Sequence, residues 1–213
     1  MDKQIDSNLT AQTKTRYNRI APYYDVIELI FERTFSRWRK RLLARDKGEV
    51  LEVGVGTGKN FPYYPESVDV TGLDIADKML LHARLRGEKL GFPVHLMEGD
   101  VQSLPFPENS CDTAIATFVF CSVTNPVLGL KELGRVVRPG GEILLLEHVR
   151  IDKPVIGFIM DIMNPFFLHF IGPNINRRTV ENVGKAGLHI QKIEHLGFMQ
   201  MVKMITAKTD KAS

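Results

Sequence analysis

The chain has 213 residues, 44% hydrophobic and 25% charged, with a net charge of +3. That is the composition of one ordinary globular domain able to bury about two thirds of its surface, and it excludes a low-complexity chain. Two cysteines, Cys111 and Cys121, are too few for a disulfide framework or a zinc site, so a reducing, cytoplasmic setting without a metal is expected.

The first residues are polar with no apolar core, which predicts no secretory signal and a loose start up to about Thr13. Pro22 punctuates two helical stretches in Arg16-Tyr17-Asn18-Arg19-Ile20-Ala21-Pro22-Tyr23-Tyr24-Asp25. Over 26–44, Ile27, Ile30, Phe31, Phe35, Trp38 and Leu42 recur at helical spacing among Arg33, Arg37, Arg39, Lys40, Arg41 and Arg45. That pattern predicts one basic helix, which would either present a solvated face or rest on an anionic membrane surface.

Val50-Leu51-Glu52-Val53 runs into Gly54, Gly56 and Gly58, a buried strand ending in a tight turn onto a helix. Glycine suits a turn whose bare backbone approaches a ligand. Lys59 stands where a dinucleotide fingerprint has its third glycine. About twenty residues on, Asp74 closes a second apolar run, where a carboxylate can bind both hydroxyls of a ribose.

A helix carrying Asp77, Met79, Leu80 and Ala83 leads to a third strand over 94–98, ending at Gly99-Asp100, and a fourth strand follows over 112–117. Asn125-Pro126 opens a helix that Arg138-Pro139-Gly140-Gly141 stops, and Ile143-Leu144-Leu145-Leu146 forms a fifth, doubly covered strand. Two apolar blocks at 154–163 and 165–171, divided by Asn164-Pro165, read as an inserted helical cover, each too short to span a bilayer. A helix ending near Gly187, two final strands around 188–196 and 199–207, and a loose tail from 208 complete the chain. The alternation predicts a doubly wound, Rossmann-like α/β sheet with ligands at the strands' carboxyl ends.

On these motifs, with Leu104-Pro105-Phe106, Cys111-Asp112 and Arg138-Pro139-Gly140-Gly141, the chain resembles the class I S-adenosylmethionine-dependent methyltransferases. The resemblance implies a seven-stranded sheet with an antiparallel strand, filling 46–207, an N-terminal helical lid over 1–45 and a cover over 153–176. It implies S-adenosylmethionine as donor, held by Gly54, Gly56 and Gly58 on the amino-acid side and by Asp74 at the ribose. Asp100 and Val101 would take the adenine, with Ile75 or Met79 against the ring, and Thr117 and Phe118 would line the methyl group. Glu52 would orient the turn or receive the ammonium. Likeness to lipid- and quinone-directed members makes Tyr24 and Asp25 candidates for closing the site.

On the acceptor side, Glu147 and His148 end the fifth strand facing the cleft and are candidate bases, with His169 and Asp161 in the cover. Phe120-Cys121-Ser122-Val123 and Glu147-His148-Val149 are similar to membrane-associated thiol methyltransferases. The glycine turn with Tyr63-Tyr64-Pro65 is similar to phospholipid N-methyltransferases and quinone C-methyltransferases, in which case Arg177 and Arg178 could grip a phosphate. The expected acceptor is hydrophobic or lipid-like, with peripheral membrane contact through the basic helix and the cover and no nucleic-acid partner. The rival readings are a nicotinamide oxidoreductase on a similar sheet and a non-catalytic donor-binding module.

Overall fold

The computed structural model describes residues 5–29, 32–44, 48–151, 153–170 and 174–211, without the side chains of 27 and 167–170. Seven strands form one sheet in the order β3-β2-β1-β4-β5-β7-β6. They are β1 (Gly48–Val53), β2 (Val68–Asp74), β3 (Val94–Glu98), β4 (Cys111–Thr117), β5 (Val137–His148), β6 (Leu188–Leu196) and β7 (Val202–Thr209). β1 to β5 pair in parallel, and β7 runs antiparallel to both β5 and β6. The expected seven-stranded doubly wound fold is therefore present.

Both faces of the sheet are covered, as parallel strands require. Leu51, Val53, Ile143 and Leu145 pack on one side with Leu130 and Leu133 of α4 (Pro126–Val136). Val50, Leu144 and Leu146 face the other way, with Leu80 and Ala83 of α3 (Asp77–Leu90). This alternation makes an apolar β5 fit between two helical layers. The strand order reverses between β1 and β4, which opens a crevice at their carboxyl ends.

Several expectations are corrected. The start is a helix, α1 (Ser7–Glu28), because Asp6 caps it by accepting the N–H groups of Asn8 (3.1 Å) and Leu9 (3.0 Å). Pro22 lies inside α1, where contacts on both sides, Tyr17 and Tyr24 against Ala76 and Met79, hold the helix through the missing bond. The basic helix predicted over 26–44 is split: α1 ends at Glu28 and α2 (Glu32–Leu43) follows. Ile30, Phe31 and Arg45 of that expectation lie outside the described residues.

The glycine turn does not open onto an α-helix. A short 3-10 turn, Phe61–Tyr63, follows it, with Pro62 in its first turn and Pro65 just beyond. β5 begins six residues before the predicted start, with a register shift opposite β4 absorbing Arg138 to Gly141. The cover is one helix, α5 (Pro154–Phe170), running through Pro165, and Ile171 of its second block lies outside the described residues. The helix before β6 is α6 (Thr179–Lys185).

Gly58 has φ +77°, and a Cβ there would lie 2.4 Å from Cε2 of buried Phe61. Gly91 has φ +63° with nothing within 4 Å. Gly91→Ala should cost about 1–2 kcal/mol, the left-handed penalty alone, and Gly58→Ala about 2–5 kcal/mol with the clash added. Urea unfolding of both variants checks this; equal losses would contradict the packing described.

Candidate functional site

The three glycines after β1 do different jobs. Gly54 (φ +63°) must be bare because a Cβ would come within 2.4 Å of Val119 Cγ2, and Gly58 packs against Phe61. Gly56 (φ +56°) faces open space, its nearest neighbour being the Gly54 carbonyl at 3.9 Å. Its N–H donates to Asp74 Oδ2 at 2.8 Å, while Oδ1 accepts the Ala76 N–H at 2.8 Å. Asp74 thus ties the turn after β1 to the turn after β2, and burial pushes its carboxyl up to about 6 against those hydrogen bonds.

A cavity opens at this point, at the switch in strand order where ligands of such sheets bind. Gly54, Gly56, Asp74, Ile75 and Met79 line one side, Asp100 and Val101 the next, and Thr117 and Phe118 the wall from β4. Asp100 accepts the backbone and side-chain N–H groups of Gln102, at 2.9 Å from the former. Tyr24 reaches the cavity from α1, its phenol raised well above its ordinary value by burial. These candidates therefore share one chamber.

Four others stand behind its walls. Glu52 is buried, accepting Asn60 Nδ2 at 2.9 Å and the Tyr64 hydroxyl at 2.8 Å, and burial pushes it up to about 7. That is the turn-orienting position of its two expected roles. Gly58 lies beneath the turn. Glu147 does not face the cleft: fully buried, its Oε1 accepts the N–H groups of Val119 (2.9 Å) and Phe120 (3.0 Å). Burial raises its carboxyl to about 7, against the backbone hydrogen bonds it accepts. His148 stacks behind Phe118 at 4.6 Å, and burial lowers it to about 4, so it is neutral at physiological pH.

Among the remaining candidates, Asp25 accepts the Thr57 hydroxyl at 2.6 Å and pairs with Arg86. Lys59, the residue in place of a third glycine, pairs with Glu32 at 2.7 Å and reaches Asp25 at 3.7 Å. Arg177 is turned inward onto the carbonyls of Val123 (2.6 Å) and Cys121 (3.4 Å), and Arg178 pairs with Glu181 at 3.1 Å. Asp161 is held by Arg150 at 2.9 Å. The His169 side chain lies outside the described residues.

The wall that sequence reasoning missed comes from α1. Thr10, Thr13 and Tyr17 join Tyr24 in lining the cavity, and the Tyr17 hydroxyl bonds Ser122 Oγ at 2.5 Å. Spacing of three, four and seven from Thr10 to Tyr24 is a helical stripe. The signal was there, masked by polar residues that read as a loose start.

The chain matches the family described as Methyltransferase domain over residues 51–145. It is similar to a phosphatidylethanolamine N-methyltransferase of Cereibacter sphaeroides, 43% identical over 50% of this chain and only 53% of that protein. It is also similar to a demethylmenaquinone methyltransferase of Thermus thermophilus, 32% identical over 73% of this chain and 74% of that one. Among solved structures, the [4+2]-cyclase SpnF superposes with a TM-score of 0.74 at 17% identity, covering 94% of this chain and 96% of that one, a likeness of fold alone.

Because Glu147 holds its proton more tightly folded than unfolded, it favours the folded state below about pH 4.3 and loses that contribution as pH rises towards about 7. Gln at 147 keeps an acceptor for Val119 and Phe120 and has no proton to lose. The melting temperature of Glu147→Gln, relative to the unaltered protein, should therefore be more favourable at pH 8 than at pH 5. A difference that is flat or reversed across that range would contradict the burial described.

Proposed function

Because the chain belongs to the methyltransferase-domain family of S-adenosylmethionine-dependent enzymes, we propose that its acceptor is a hydrophobic, lipid-like molecule whose nucleophilic atom enters beside Thr117 and Phe118. The donor fits the chamber on one observation above all. Asp74 lines the cavity with Oδ2 on the Gly56 N–H and Oδ1 on the Ala76 N–H, each at 2.8 Å, and a carboxylate with about four lone-pair sites keeps acceptor capacity for vicinal hydroxyls.

In this reading Asp74 holds the ribose, and Gly54 and Gly56 offer backbone to the amino-acid end. Asp100 and Val101 meet the adenine edge, with Ile75 and Met79 against its ring. The donor supplies an electrophilic methyl carbon on a positively charged sulfur. What the chain supplies is alignment, worth roughly 7–11 kcal/mol for an in-line displacement. Tyr17, Tyr24 and the α1 threonines close the chamber against water, leaving a desolvated nucleophile more reactive.

An amine, thiol or phenol acceptor loses one proton overall. His148, neutral and screened by Phe118, is not in line to take it directly. Glu147, also behind the wall, acts by holding the loop that presents Phe118. The reading of a lipid-like acceptor draws on the names of the two relatives, one acting on phosphatidylethanolamine and one on demethylmenaquinone. A nicotinamide reading is disfavoured by the 3-10 turn, which offers no helix start to a diphosphate.

Two measurements test this. Asp74→Asn should weaken binding of S-adenosylhomocysteine by about 10- to 100-fold, the loss of a charge-assisted hydrogen bond of roughly 1.5–3 kcal/mol, read by calorimetry. Unchanged affinity would remove Asp74 from the donor site. Labelled methyl should pass from S-adenosylmethionine to at least one of phosphatidylethanolamine, demethylated quinols and long-chain alkyl thiols; label reaching only water-soluble acceptors would overturn the lipid-like assignment.

A further inference from the structure

We propose that α5 docks this protein on a phospholipid bilayer, its outer apolar stripe lying in the interfacial layer beside the cavity. The proposal rests on the lipid-like acceptor and adds the element through which a lipid-bearing surface is engaged.

The inner face of α5 is fastened to the domain. Met160 is buried, its sulfur accepting the Ile151 N–H at 3.4 Å, and buried Gly157 lies directly against the Arg150 guanidinium. Asn164 donates to Asn174 Oδ1 at 3.0 Å and accepts the Ile175 N–H at 2.9 Å. The outer face is different. Val155, Phe158, Ile159, Ile162, Met163 and Phe166 are each 43–71% exposed. Their steps of three and four make one stripe along the helix.

An exposed apolar stripe of this length marks an interaction surface, and three observations favour a bilayer over a protein helix. First, the only acidic residue of α5 is Asp161, and Arg150 already holds it. A helical partner is ordinarily set in register by charges flanking the stripe, whereas a lipid surface needs no register. Second, an exposed cation, Lys153, stands just before α5, complementary to anionic headgroups. Third, a further exposed apolar side chain stands in the segment bonded to the chain where it leaves β5. Phe198 is 81% exposed in the link between β6 and β7, and Met201 of that link accepts the Val149 N–H at 2.9 Å, where the chain leaves β5 towards α5.

The stripe is also coupled to the chamber. Asn174, which holds Asn164 of α5, donates its side-chain and backbone N–H groups to the Cys121 carbonyl, both at 2.9 Å. The next residue, Ser122, lines the cavity. A lipid-like acceptor leaving the bilayer at α5 thus has the cavity wall as its neighbour. No described helix is long and apolar enough to cross a membrane, so the contact is interfacial.

The test is sedimentation of the full chain with phosphatidylcholine vesicles, with and without phosphatidylglycerol. The unaltered protein should bind, more strongly with phosphatidylglycerol, and the triple variant Val155→Gln, Phe158→Gln, Ile162→Gln should bind about tenfold less. It should keep its thermal shift with S-adenosylhomocysteine, since these side chains face away from the cavity; should the triple variant lose that shift, the single Phe158→Gln variant carries the test. It should also keep methyl transfer to detergent-dispersed acceptor while losing transfer to acceptor in vesicles. Vesicle binding unaffected by the stripe, or absent from the unaltered protein, overturns the proposal. So does a dimer in sedimentation velocity that the variant dissolves without any vesicle binding. Stripe-dependent vesicle binding without methyl transfer to any lipid-like acceptor would sustain the docking surface and sink the acceptor assignment.

Discussion

Three carboxylates buried at the carboxyl edge of the sheet hold the chamber in shape. Asp74 bridges the turns after β1 and β2 through Gly56 and Ala76. Glu52 anchors the segment beyond the glycine turn through Asn60 and Tyr64. Glu147 gathers the N–H groups of Val119 and Phe120 after β4. Burial raises all three, which records what it takes to remove a carboxylate from water. The return is rigidity: Asp74 and Glu147 fix turns through their backbone N–H groups, and Glu52 fixes one through the side chains of Asn60 and Tyr64. Phe118 shows the consequence, since its φ of +60° is a strained value for a side chain of that size and persists where surrounding bonds over-determine it.

Against this fixed wall the N-terminal helices are attached by charge. Asp25 of α1 and Glu32 of α2 face Lys59 and Arg86 of the wall, while Glu28 of α1 pairs with Arg39 of α2, 3.3 Å apart and both largely buried. Lys59 therefore joins the N-terminal helices to the glycine turn. Exposed pairs are worth little. Here the Thr57 hydroxyl on Asp25 and the packing of Arg39 near the Phe35 and Phe118 rings bring the network to the chamber itself.

What could be read from the sequence follows from how local the cause is. A parallel strand between two helical layers needs continuous apolar residues, so β1, β2, β4 and the centre of β5 were legible, and Asp74 stood where a strand's end puts it. The start of α1 was not, because its cap, Asp6, precedes residues whose polarity faces a cavity. Pro22 and Pro165 read as breaks, yet both lie inside continuous helices, Pro22 with tertiary contacts on either side. Glu147 and His148 were placed on the cleft by position alone. Residue-by-residue alternation along β5 turns them to opposite faces, Glu147 under the loop and His148 behind Phe118, and only the packing shows that neither side chain emerges.

The chamber has two halves of different physical character, and the family match divides them. Residues 51–145 contain Glu52, the glycines, Asp74, Asp100, Thr117 and Phe118, a wall of turns tied by buried acids. A donor of fixed structure demands such a wall, because small errors of alignment are costly in a displacement. Outside the match lie α1, Glu147 and α5, the parts that close the chamber or border the acceptor's path. α1 adds ion pairs and a tyrosine–serine hydrogen bond to its packing on Ala76 and Met79, and α5 adds asparagine contacts to buried Met160, whereas Glu147 is fixed within the wall by the Val119 and Phe120 N–H groups. Relatives named for phosphatidylethanolamine and for demethylmenaquinone fit a sheet edge constrained by a common donor and helices free to differ with the acceptor we propose.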